Sequence, residues 1–157
     1  MNRRSLPLIC LLLFAAAAAA AAQGLRDSAS VVKMTVQPKS VTAAVGDPVS
    51  WTVTLDIEKD WHLYAHGDPK YYGIAVTGLD SLPLLGAEVA YPAGKQGKFL
   101  GETVQLLEGR QTLTVGGFLA AEPAGPMLLE LELQACDKKS CLAPAYLQIP
   151  LVVEPKR

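Results

Sequence analysis

Cys136 and Cys141 are the residues with the clearest capacity for chemistry in this 157-residue chain. Two thiols with four residues between them can close a disulfide, and a disulfide can be a structural link or a site of exchange through thiolate attack. The segment between them, Asp137-Lys138-Lys139-Ser140, has the composition of a turn. If Cys136 follows directly on a strand ending at Ala135 and Cys141 opens the next, a hairpin brings the sulfurs within bonding range. Lys138 and Lys139 would favour a thiolate more than Asp137 would oppose it, although two lysines on a turn can equally be plain solvated charge.

A third cysteine, Cys10, lies in a segment that reads as an address. Arg3 and Arg4 precede an apolar run from Leu6 to Phe14, and Ala15 to Ala22 form a small-residue tract before Gln23. This is the layout of a secretory signal peptide over residues 1–22, with cleavage expected after Ala22. The apolar part is short for a transmembrane anchor, and apolar residues continue after Cys10, where a lipidated cysteine would follow the apolar stretch. The expected mature chain, residues 23–157, is long enough for one domain with its own core. Its formal charge moves from −1 to about −3 with the loss of the two arginines, which argues against nucleic acid or an anionic membrane surface as partner. Export to an oxidising compartment, read here as the periplasm, makes the remaining cysteine pair a disulfide by default.

The elements that must position the pair read as strands. Val32, Met34 and Val36 alternate with polar residues, as do Trp51, Val53, Leu55 and Ile57, then Leu113 and Val115, then Met127, Leu129, Leu131 and Leu133, and finally Leu147, Ile149, Leu151 and Val153. Pro150 implies an edge strand or a bulge. The aromatic run from Trp61 to Tyr72 is broken at Gly67-Asp68-Pro69, giving a short strand, a turn, and a strand from Tyr71 to Thr77. The Gly- and Pro-rich stretch that follows predicts a long irregular loop around Tyr91 to Gly101. Seven to nine short strands with frequent turns and no helical period imply an all-β chain, an immunoglobulin-like antiparallel β-sandwich. Strand parity would send Cys136 to the same side as Glu130, Glu132 and Gln134, an outward and reachable position.

Spacing alone leaves a structural staple and a redox pair equally open. A loop of about six residues gains only about 2 kcal/mol from closure in the chain-entropy picture, roughly half of what a bridge between sheets would gain, so a pure staple is poorly placed. A non-catalytic immunoglobulin-like binding or chaperone module with a hairpin disulfide is the alternative. His62 and His66, with Asp60, Asp68 and the cysteines, could in principle ligate zinc or copper, but the Gly-Asp-Pro break interrupts their spacing. The reading therefore takes no metal and no cofactor. The run Trp61, Tyr64, Tyr71 and Tyr72 is assigned to core and rim packing and Trp51 to the core. No catalytic triad or paired-carboxylate site stands out, and Gly94, Gly97 and Gly101 lie near no helix start that could cradle a phosphate.

The segment Gln134-Ala135-Cys136-Asp137-Lys138-Lys139-Ser140-Cys141-Leu142-Ala143-Pro144 resembles the cysteine hairpin of the periplasmic N-terminal domain of the thiol:disulfide interchange protein DsbD. Asp60-Trp61-His62-Leu63-Tyr64 is similar to that family's aromatic strand, and Phe99-Leu100-Gly101 to the loop that caps its cysteines, so the likeness spans roughly residues 30–153. The resemblance implies an immunoglobulin-like domain in a disulfide-reductase relay, taking electrons from a thioredoxin-like donor and passing them to periplasmic oxidoreductases through mixed disulfides. It implies that Cys141 is the sulfur partners attack, that Cys136 resolves, that Phe99 covers the pair, and that His62 and Tyr64 lie beside it. Gly97 and Lys98 stand where well-studied members carry acidic residues. The chain ends at Arg157 without a membrane or thioredoxin domain, so the expected donor, such as a membrane electron transporter, is on another chain, and no membrane insertion is expected after signal cleavage.

Overall fold

The computed structural model describes residues 26–68 and 70–156, so the expected signal peptide at 1–22 lies outside the described residues. Among the described residues there are twelve strands and two short 3-10 turns, at Ser28–Ser30 and Leu79–Ser81, more strands than the seven to nine expected. One sheet of four strands has the order β1 (Val32–Gln37), β3 (Pro48–Ile57), β9 (Arg110–Leu119), β6 (Leu84–Ala90), all antiparallel. A second, of three, has the order β11 (Ala145–Leu151), β10 (Met127–Leu133), β5 (Ala75–Thr77). The inner faces of both contribute to one buried apolar cluster that includes Trp51, Val53, Leu55, Leu113, Leu129, Leu131, Leu133 and Ile149, giving an immunoglobulin-like antiparallel β-sandwich.

Sequence alternation translates directly into burial. Along β3 every second residue from Val49 to Ile57 is buried, and along β10 Met127, Leu129, Leu131 and Leu133 are buried while Leu128 is exposed. Trp51 is fully buried, as its assignment to the core requires. β11 is an edge strand, which leaves Pro150 without a ladder bond to interrupt on its outer side. The chain then steps from Leu151 into a short β12 (Val153–Pro155) that pairs in parallel with β2 (Val41–Ala43), so the single last strand read from the alternation is divided in two.

A third sheet sits outside the sandwich core and has the order β4 (Leu63–Tyr64), β8 (Glu102–Leu107), β7 (Lys95–Phe99). It corrects two expectations. The irregular loop expected from Tyr91 to Gly101 is for the most part a strand, β7, in a hairpin with β8. Its glycines serve that hairpin. Gly101 has φ of 85° beside Leu100 at the two-residue turn, and a Cβ at Gly97 would stand 2.5 Å from Leu106 Cδ1. The strand expected from Tyr71 to Thr77 is confined to Ala75–Thr77, because residues 70–72 turn to carry Tyr71 against the cap described below. No helix among the described residues is long and apolar enough to cross a membrane.

Ser28 joins the amino-terminal end of the sandwich to the base of the cysteine hairpin. It is fully buried, and its hydroxyl donates to Ala143 O (2.7 Å) and accepts from Ala135 N (2.8 Å), so one side chain ties both arms of the hairpin. A Ser28→Ala variant leaves the buried Ala135 N–H without an acceptor. It should lose about 1–3 kcal/mol of stability by urea denaturation, whereas an unchanged midpoint would show that the stitch is dispensable.

Candidate functional site

β10 stops at Leu133 and β11 starts at Ala145, short of the bounds expected at Ala135 and Cys141, so the cysteines lie just beyond the strands in an isolated antiparallel bridge. The bridge is a non-hydrogen-bonded pair: Asp137 N donates to Ser140 O (2.8 Å) and Leu142 N to Ala135 O (2.9 Å), one residue to either side. In this register side chains make their closest approach, and the cysteines are disulfide-bonded with Cα atoms 4.0 Å apart. Asp137 shapes the turn: its Oδ1 accepts from Lys139 N and Ser140 N, each at 2.7 Å, and these bonds hold its carboxyl below the usual range. Lys138 and Lys139 remain exposed.

The other edge of Cys136 is occupied by His62. His62 N donates to Cys136 O and Cys136 N to His62 O, both at 2.9 Å. Residues 63 and 64 then pair with β8 along the opposite edge, Leu63 with Leu107 and Tyr64 with Leu106. Directly paired residues present their side chains on one face, and residues two apart on a strand do the same. His62, Tyr64 and Cys136 therefore share a side, while the intervening Leu63 is fully buried in the sandwich core.

That shared side is covered. Phe99, at the end of β7, is 5% exposed and meets three rings edge-on: His62 at 5.5 Å, Tyr64 at 5.9 Å and Tyr71 at 5.3 Å between centroids. Tyr71 stacks on Tyr64 at 4.6 Å. Tyr64, Phe99, Val104 and Cys136 form one buried cluster with Tyr71 and Leu106 at its margin. Edge-to-face aromatic pairs contribute about 0.5–1.5 kcal/mol each beyond area burial, so the three contacts on Phe99 are individually modest. Cys136 thus corrects the expectation of reachability. It does leave the sandwich core on the outward side, but its exposure is 0% because the third sheet lies over it. Cys141 is exposed.

The surroundings of Cys136 are neutral. Burial pulls the His62 imidazole below its ordinary value, against weaker opposition from Glu108 and Asp137. Burial, with Tyr71 and Asp68 adding to it, pushes the Tyr64 phenol far above its ordinary value. His62 Nε2 and Tyr64 Oη lie 3.5 Å apart. A thiolate formed on Cys136 beneath a closed cap would have no buried cation beside it, which raises its cost. A cleft of about 540 Å³ opens beside the hairpin, lined by Trp61, His62, Glu108 and Lys138 among others.

All five residues singled out from the sequence, Cys136, Cys141, Phe99, His62 and Tyr64, meet here. The histidine pair does not act together: His66 Nδ1 lies 2.9 Å from Ile74 O and its ring stacks on Tyr91 at 3.8 Å, while His62 faces Phe99. Among the described residues no group of three His, Cys, Asp or Glu side chains is placed to hold a metal. The sequence reading missed Val104 and the cap-forming role of Tyr71. Tyr71 belonged to an aromatic run already assigned to packing, and Val104 carries no signal of its own.

The family model described as "Thiol:disulfide interchange protein DsbD, N-terminal" matches residues 31–152. No curated protein matches the chain. Among solved structures, the N-terminal periplasmic domain of ScsB from Proteus mirabilis is 10% identical, with a TM-score of 0.59 over 80% of this chain and 49% of that one. The chain therefore spans about half the length of that structure, and the likeness is one of fold. The reduced N-terminal domain of Neisseria meningitidis DsbD is 16% identical, with a TM-score of 0.44 over 70% of this chain and 78% of that one.

Burial of His62 generates a pH prediction. Because the folded protein holds His62 below its ordinary pKa, the unfolded chain binds more protons as pH falls past about 6.5, and stability declines in that direction. The urea midpoint should drop between about pH 7.5 and pH 5, and the drop should shrink in His62→Gln. Equal pH dependence in the two proteins would mean that His62 is not the group responsible.

Proposed function

The chain belongs to the family of DsbD N-terminal domains, thiol-disulfide exchange modules, and from that premise we propose that it is a periplasmic relay station working through Cys141. The observation that carries this reading is the asymmetry of the disulfide, one sulfur exposed and the other buried under an aromatic cap. An incoming thiolate needs an open line to one sulfur, and Cys141 offers it.

In the loading step, a thiolate of a thioredoxin-fold donor attacks Sγ of Cys141. The Cys136–Cys141 bond breaks, its electron pair leaves on Cys136 Sγ, and that thiolate takes a proton as water reaches it. The donor's second thiolate attacks the donor sulfur of the mixed disulfide and releases Cys141 reduced. In the unloading step, the Cys141 thiolate attacks a disulfide of a periplasmic oxidoreductase, and Cys136 attacks Cys141 Sγ, which reforms the intramolecular bond and frees the partner as a dithiol. Two electrons and two protons are carried per cycle.

Phe99 acts as the cover. While it rests against His62, Tyr64 and Tyr71, the leaving thiolate of Cys136 is poorly solvated. A docking partner that displaces Phe99 admits water to that sulfur, so exchange is coupled to recognition. His62 and Tyr64 form the neutral wall against which the cap closes.

Trapping tests this directly. With Cys136 replaced by Ala, Cys141 should accumulate in mixed disulfides with thioredoxin-fold proteins, whereas Cys141→Ala, which leaves only the buried thiol, should give few or none. Absence of any covalent partner for Cys136→Ala, together with full function of the double variant in cells, would favour a structural staple.

A further inference from the structure

Asp68 takes part in none of these steps, yet its carboxylate joins the two halves of the cap. Oδ1 accepts the backbone N–H of Lys70 (2.9 Å) and of Tyr71 (3.0 Å), the local bonds of an Asx turn. Oδ2 accepts from Gln105 N (3.1 Å), on β8, which is not local at all. Just before the turn, Ala65 N donates to Gln105 O (2.9 Å), so the chain leaving β4 still pairs with β8 at that point. The chain then bends away at Gly67, with φ of 74°, and the Asp68 side chain supplies the acceptor that a continuing strand would have offered as a carbonyl.

Two contacts to the cap hang from the turn that Asp68 organises. Tyr71, whose N–H it binds, stacks on Tyr64 and meets Phe99 edge-on. Lys70, whose N–H it also binds, is ion-paired with Glu102, the residue opposite Phe99 in the β7–β8 register. Burial alone would raise the Asp68 carboxyl, but the N–H groups of Gln105, Lys70 and Tyr71 and the charge of Lys70 hold it below its ordinary value, so it is an ionised acceptor around neutral pH.

We infer that Asp68 is a positioning residue of the exchange site, tying the cap hairpin to the Tyr71–Tyr64 wall and thereby setting how often Phe99 uncovers Cys136. The inference rests on the exchange reading of the disulfide. It differs from the direct role of Phe99 in that Asp68 touches neither sulfur and acts only through the hairpin and Tyr71.

Asp68→Asn separates the two kinds of bond. Its amide oxygen still accepts from Lys70 and Tyr71, but its NH2 group faces Gln105 N–H as a second donor. Two readouts are taken on the oxidised protein under native conditions: hydrogen exchange of the Gln105 amide, and the rate at which 2-mercaptoethanol reduces the disulfide. Both should rise in Asp68→Asn, reduction by roughly fivefold, the change in opening equilibrium expected for one lost hydrogen bond. Asp68→Ser, whose hydroxyl can serve the turn but is too short for β8, should behave alike and serves if the Asn variant folds poorly. Val53→Ala, which weakens the four-stranded sheet and not the cap, is the control for general destabilisation. Unchanged reduction in both Asp68 variants, or equal acceleration in Val53→Ala, would overturn the inference. Failure of the unmodified protein to be reduced at all would instead overturn the exchange reading beneath it.

Discussion

Backbone pairing along His62 to Tyr64 is the constraint on which the site depends. One edge of this stretch bonds Cys136 and the other bonds β8, so three residues join the cysteine hairpin to the cap hairpin. Pleating then divides their side chains, with Leu63 fixed in the sandwich core and His62 and Tyr64 turned toward the cap. An immunoglobulin-like sandwich by itself would leave the outward face of β10 open to solvent, as it does at Leu128. The added sheet closes that face at Cys136 and not at Cys141, and this produces a disulfide with two unlike ends.

Unlike ends matter because exchange asks different things of the two sulfurs. The attacked sulfur must be approachable, while the departing one must carry negative charge. In the proposed relay the second requirement is met poorly while Phe99 is seated and better once it lifts. The cap of that proposed relay is accordingly a device for making a reducible bond slow in isolation and fast in the right complex. Its strength has to be modest, and aromatic edge contacts, one side-chain carboxylate and an exposed ion pair are forces of that size.

Much of the scaffold was legible because it obeys a local rule. Alternation along β3 and β10 gave the faces that pack, and the absence of glycine from both strands, with β-branched residues along β3 and leucines along β10, left little ambiguity. The cap hairpin was not legible, since Gly94, Gly97 and Gly101 read as breaks when they serve tight turns and close packing against Leu106. Parity told which side Cys136 takes but not what covers that side, because cover comes from β7 and β8, about thirty to forty residues away in the chain. Ser28 and Asp68 were missed for the same reason. Each acts through side-chain bonds to distant backbone, 107 and 37 residues away, and no spacing announces such a bond.

The central claim is that Cys136–Cys141 is an exchanging disulfide and not a fixed link. Its reduction potential, measured by equilibration of the intact protein with thioredoxin-class and glutathione couples, tests this most directly. The account predicts equilibration with those couples at a value above about −300 mV; a value well below that, with no exchange against thioredoxin-fold partners, would contradict it.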